Sequence, residues 1–183
     1  MQHARGLDEI TVPETKPATE WILGEPAQKV SPKRRHALIQ GAMSDMLRRW
    51  ARGRGDCGPE WRFRIAPPGE PARPLVPDLA FLSNERKAGL SGEDLEVPRV
   101  APDIVVEILS PDDRPDRVAS KRDVYLAAGT QLVIIVDPSA RSLEAYEAGG
   151  RTVCLEPSTF STDRFPGLAI DLVELFREID GSG

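Results

Sequence analysis

A chain of 183 residues is long enough to bury one sizeable core and short enough to form a single domain. Its hydrophobic fraction of 40%, charged fraction of 29% and net charge of −5 exclude a disordered chain and argue against a protein that simply coats nucleic acid. The longest strongly apolar run, Leu132-Val133-Ile134-Ile135-Val136, falls far short of the roughly 20 residues of a membrane helix, so no membrane partner is expected.

In chain order, residues 1–19 are polar, proline-containing and aperiodic, and they lack the apolar core of a secretory signal. They are expected to form a flexible arm before one domain over residues 20–180. Ser31-Pro32 reads as an N-cap followed by proline at the first helical position. Leu38, Ile39, Ala42, Met43, Met46, Leu47 and Trp50 then follow at helical spacing, giving an amphipathic helix of about 18 residues that Gly53 and Gly55 end. Residues 61–65 alternate as a strand with one polar face, and residues 76–82 and 104–109 are apolar strands of a sheet interior. A second helix runs over residues 115–128 and stops at Gly129. Residues 132–136 are a buried strand, while 143–146 and 152–155 flank Gly149-Gly150 as a hairpin. Asp171 and Glu174 form a capping box for a last helix over residues 172–179. This order predicts an α/β fold, a central mixed β-sheet flanked by helices.

Charge is distributed unevenly along the chain. Residues 28–73 hold 11 Lys and Arg against 4 Asp and Glu, whereas residues 74–183 hold 11 against 20. Within the basic block, Lys33, Arg34, Arg48, Arg49 and Arg52 are the expected nucleic-acid contacts. Cys57 and Cys154 stand almost a hundred positions apart with no zinc-ligand spacing, so they are expected to be unpaired thiols of a cytoplasmic protein.

The chemistry is expected at three residues. Asp78 and Glu107 are lone acids within apolar stretches, and an unpaired buried carboxylate costs several kcal/mol unless a metal, a basic partner or hydrogen-bond donors stand nearby. On the following helix Val118, Lys121, Tyr125 and Ala128 share one stripe, which turns Lys121 toward the sheet. Two carboxylates on neighbouring strands can hold a hard divalent cation, and a lysine beside them can orient an attacking water. His36, Gln40 and Ser44 form a polar line on the first helix, from which His36 and Gln40 can reach the site. A second Pro-Asp pair, Pro102-Asp103, is set aside: Asp103 lies about 13 Å from Glu107 along one strand, too far for one ion. Asp112, Asp113 and Asp116 suit the start of a helix, and Asp137 suits a turn.

Pro77-Asp78 followed by Glu107-Ile108-Leu109 on the next strand resembles the PD-(D/E)xK restriction-endonuclease-like superfamily. The ordered set from Glu20-Trp21-Ile22-Leu23-Gly24-Glu25 through Ser31-Pro32, His36, Pro77-Asp78, Glu107 to Ser110, Lys121, Tyr125, Gly129, Val136-Asp137-Pro138 and Phe165-Pro166-Gly167-Leu168 resembles the Uma-two family of bacterial endonucleases over about residues 20–176. The resemblance implies a restriction-endonuclease-like core (αβββαβ) with added N-terminal strands and a C-terminal hairpin and helix. It also implies a magnesium-dependent endonuclease, with manganese as a substitute ion and double-stranded DNA as the partner. Asp78, Glu107 and the backbone carbonyl of Ile108 would bind the ion, and Lys121 would be the catalytic lysine. The superfamily pattern expects that lysine at position 109, where Leu109 stands, so the resemblance implies its migration to the helix. Glu25 occupies a family position with its role open. A homodimer suits the cutting of two strands. The competing expectations are an inactive nucleic-acid-binding protein and a dimeric scaffold, each keeping the carboxylate and lysine cluster as a structural ion pair.

Overall fold

The computed structural model describes residues 9–180. The chain opens with a hairpin, β1 (Thr19–Ile22) and β2 (Glu25–Gln28), closed by Leu23 and Gly24, whose φ values of 54° and 79° give the left-handed pair that a two-residue turn requires. There follow α1 (Arg34–Ala51), β3 (Gly55–Pro59), β4 (Phe63–Ile65), β5 (Arg73–Leu75) and β6 (Leu79–Ser83). Two short helices, α2 (Asn84–Lys87) and α3 (Gly92–Glu96), lead to β7 (Ile104–Ile108), α4 (Pro115–Ala127) and β8 (Leu132–Asp137). The chain ends with β9 (Ser142–Glu147), β10 (Gly150–Leu155), β11 (Thr159–Ser161), β12 (Ala169–Asp171) and α5 (Leu172–Asp180).

Six strands form the central sheet in the order β10-β9-β8-β7-β6-β3. Only β7 and β8 pair in parallel, joined by α4; their neighbours pair antiparallel, so the sheet is mixed. Alternation along β7 divides the core. Ile104, Val106 and Ile108 face α1 and α5, while Val105 packs on the opposite side with Tyr125 of α4, Ile22 of β1 and Phe63 of β4. Glu107 shares the face of Val105 and therefore turns toward α4.

The expected helix of about 18 residues is α1, with Ile39, Met43, Met46 and Leu47 buried. It begins at Arg34 after an N-cap Lys33, not at Ser31-Pro32, and no side chain caps it. The strands over 104–109 and 132–136, the second helix, the hairpin and the last helix match β7, β8, α4, β9–β10 and α5. Asp171 Oδ1 accepts from the amides of Val173 and Glu174 at 2.8 and 3.0 Å.

Two expectations change. The run over 76–82 is not one strand: β5 ends at Leu75 and β6 begins at Leu79, leaving Asp78 in the break, where its side chain can leave the sheet's alternation. The run over 61–65 contributes β4, which pairs with β5 in a separate small sheet, and the sixth strand of the central sheet is β3. That strand is an edge with no apolar alternation. Gly55 is required there because a Cβ would lie 2.2 Å from the carbonyl oxygen of Leu82.

Residues 1–8 of the expected arm lie outside the described residues. Over 9–18 the chain lies against the domain: the Ile10 amide donates to Ala72 O at 2.9 Å, and Glu9 pairs with Arg64 and Arg99 at 2.8 and 2.9 Å. Cys57 and Cys154 are free thiols. No helix among the described residues is long and apolar enough to cross a membrane.

Candidate functional site

A cavity of about 380 Å³ opens between the first turn of α1, the β1–β2 hairpin and the start of α4. Glu20, Lys29, His36, Asp78, Glu107 and Lys121 line it. The structure thus brings Asp78, Glu107 and Lys121 into one pocket, although each arrives from a different element.

Asp78 is 3% exposed and carries a full set of donors. Its Oδ1 accepts from Lys29 Nζ at 2.8 Å, and its Oδ2 from the Ile108 amide at 2.7 Å and from His36 Nε2 at 3.1 Å. Burial alone would raise its pKa, but the His36 hydrogen bond and the Lys29 charge outweigh it and hold the carboxyl well below the usual range. His36 moves oppositely: the bond to Asp78 overcomes burial and raises its pKa. One turn further along α1, Gln40 Nε2 donates to the Asp78 carbonyl at 2.9 Å and to Glu60 Oε1 at 3.3 Å.

Lys121 is 7% exposed and lies between two acids, with Glu20 Oε1 at 3.0 Å and Glu107 Oε1 at 2.7 Å. Burial disfavours its ammonium, yet Glu107 and Glu20 together raise its pKa, so it stays charged. Glu20 is also held by the Val76 amide, which donates to Oε1 at 2.7 Å. Glu107 Oε1 lies 2.7 Å from the Lys121 ammonium and is shielded from solvent. Tyr125 lies on the same stripe of α4, fully buried, and burial followed by the neighbouring carboxylates keeps it a neutral phenol.

Glu20, Lys29 and Glu60 were not among the residues expected here. Glu20 carried the same signal as Asp78 and Glu107, a lone acid beside the apolar Trp21-Ile22-Leu23, and it is 2% exposed. Nothing in the local pattern marks Lys29 or Glu60, because neither sits in a periodic element. Glu25 is exposed on the rim and pairs with Arg117 at 3.0 Å. Ile108 borders the pocket with its amide turned to Asp78. Asp113 and Asp137 accept from the nearby backbone amides of Ser110, Ser139 and Ala140, Asp116 pairs with Arg114, and Asp103 accepts from the Ser83 amide.

The five expected nucleic-acid contacts are all exposed on or beside α1. Lys33 pairs with Asp112 at 2.5 Å, near the pocket, and Arg49 with Glu174 at 3.1 Å, near the other end. From Arg34 to Arg52 the helix rises about 27 Å, so the five cannot serve one phosphate and would instead follow several.

Burial pushes the Glu107 carboxyl up to about 7; Lys121 opposes this, the Asp78 charge adds to it, and the smaller effects of Lys29 and Glu20 cancel in sign. Between an ordinary value of 4.5 and about 7, the folded protein holds a proton that the unfolded chain has released. In EDTA, stability is therefore expected to decline as pH rises through that window. His36, also raised, adds the same sign, so Glu107→Gln should leave a shallower slope rather than none. Thermal melts from pH 4.5 to 8 check this; a rising or flat wild-type profile would refute the shift.

A mixed sheet with a helix on each face, and a pocket of carboxylates and lysines at the strand ends, defines a protein of the restriction-endonuclease-like nuclease fold. A crystal structure described as that of "a putative nuclease belonging to DUF820" from Anabaena variabilis ATCC 29413 superposes with a TM-score of 0.78 at 27% sequence identity, covering 92% of this chain and 94% of that one. The Uma2 family, described as "Putative restriction endonuclease", matches residues 7–173, and the chain belongs to it. No curated protein matches the chain.

Proposed function

We propose that the protein is a magnesium-dependent endonuclease that hydrolyses phosphodiester bonds in double-stranded DNA. The observation that carries the reading is the pocket itself, which brings the buried Asp78 and Glu107 carboxylates together with Lys29 and Lys121. Among the described residues no three His, Cys, Asp or Glu side chains cluster as a metal site. Two carboxylates fit magnesium nonetheless, because that ion commonly takes one or two and keeps several waters. Asp78, Glu107 and the Ile108 carbonyl would hold it, with manganese able to replace it. When bound, the ion supplies charge that neutralises the phosphate and makes water a better nucleophile.

The chain's own groups do the rest. Lys121 fixes Glu107 and donates toward the attacking water and the phosphate oxygens, where preorganised positive charge counts most. His36 orients Asp78, and Gln40 fixes the Asp78 backbone, which makes both positioning residues. Glu25 holds Arg117 at the rim, where the guanidinium can meet a phosphate. A homodimer would present two such pockets to the two strands.

Plasmid nicking in magnesium, absent in EDTA, tests the reading, together with a magnesium-dependent rise in melting temperature. A second reading is favoured by the near-complete pairing of Asp78: a nucleic-acid-binding protein whose cluster is purely structural. Neither nicking nor a magnesium shift would leave that second reading standing.

DNA binding should depend on the face of α1. Charge reversal at Lys33, Arg34, Arg48, Arg49 or Arg52 is expected to reduce the salt slope of binding by about one for each phosphate that the side chain had neutralised. Fluorescence anisotropy against salt concentration checks this, and an unchanged slope after reversing Arg48, Arg49 and Arg52 would place the surface elsewhere.

A further inference from the structure

Lys29 follows β2 and carries its ammonium into the pocket wall, where its close partners are all oxygens. Asp78 Oδ1 lies at 2.8 Å, the two Glu60 oxygens at 3.0 and 3.1 Å, and the Val76 carbonyl at 3.0 Å. Two carboxylates and a main-chain carbonyl are a donor set suited to a hard divalent cation, and here an ammonium fills it. The set is held in place. Glu60 has φ 53°, a left-handed conformation uncommon outside glycine, and Gln40 ties it to the Asp78 backbone.

Charge points the same way. Glu20, Glu60, Asp78 and Glu107 face Lys29 and Lys121, which leaves two negative charges when every acid is ionised and His36 is neutral. One divalent ion balances them. A second would leave two positive charges beside the buried Asp78 and Lys121, where uncompensated charge is costly, although Glu60 itself is half exposed.

We propose that Lys29 is the resident second cation of this site, so that the centre takes one divalent ion although its oxygens could house two. The inference rests on the metal-dependent reading above and fixes the ion stoichiometry that reading leaves open. The Lys29 charge is then permanent, indifferent to magnesium concentration, and it holds Asp78 and Glu60 apart at a set spacing.

The test is manganese binding to the full chain by isothermal titration calorimetry, with bound ion counted by electron paramagnetic resonance. The wild type is expected to bind one ion, Lys29→Ala to bind two, and the double variant Lys29→Ala with Glu60→Gln to return to one. No binding by the wild type would overturn the metal-dependent reading and this inference with it. One ion in both the wild type and Lys29→Ala, or two in the wild type, would overturn this inference alone. Lys29→Ser is made alongside in case Lys29→Ala does not fold. If both unfold in EDTA, recovery of a cooperative melt in millimolar manganese supports the proposal, and failure to recover overturns it.

Discussion

Asp78→Asn is expected to reduce magnesium-dependent nicking at least about a hundredfold, since even outer partners of metal ligands cost about 10- to 100-fold when removed. It should also lower stability by about 3 to 5 kcal/mol in metal-free buffer. Two buried acids with no cations beside them would repel each other, and removing one charge would then stabilise the fold. The structure reverses that sign: Asp78 is paired with Lys29 and bonded to His36 and the Ile108 amide. An asparagine offers one acceptor oxygen where three donors converge, and its amide group points donor against donor. Urea titration of both proteins in EDTA measures the loss. A stability equal to wild type would mean the pairing is weak, and nicking retained by a folded variant would remove Asp78 from the chemistry.

The other large effect is expected at Lys121. Lys121→Met keeps the bulk of the stem but leaves Glu20 and Glu107 buried together without a cation, so a loss of about 3 to 5 kcal/mol is expected at pH 8. The loss should shrink at pH 5, where the stranded carboxyls take up protons more readily than they do beside an ammonium. Adding Glu20→Gln and Glu107→Gln to Lys121→Met should restore much of the stability, since neutral buried groups lack the desolvation penalty of unpaired charge. Magnesium binding should not return with it. Urea midpoints of the single and triple variants at the two pH values decide; a single variant as stable as wild type at pH 8 would show that the ion triad contributes nothing net.

Local pattern determined the helices and the innermost strands, but it ran Asp78 into one strand over 76–82 and started α1 at Ser31-Pro32, where the structure has a break and an N-cap at Lys33. Spacing of 3.6 marked α1 and α4, apolar runs marked β7 and β8, and Gly149-Gly150 marked the β9–β10 turn. The same logic singled out Asp78, Glu107 and Lys121, which line one pocket, because an acid in an apolar stretch or a lysine on an inner stripe must be compensated somewhere. Who compensates it is not a local property. Lys121 meets Glu20, 101 positions away, and Asp78 meets Lys29, 49 positions away, because the β1–β2 hairpin packs its first strand against β5 and α4. Lys29 and Glu60 sit in irregular backbone with no period to mark them. Edge strand β3 carries no such mark for a related reason: its place depends on hydrogen bonds to β6 and on the room Gly55 leaves, not on apolar alternation. Side-chain periodicity reports which face of an element is buried, so it reads well from sequence. Partner choice depends on strand order and on where irregular segments cross, and only the tertiary structure decides that.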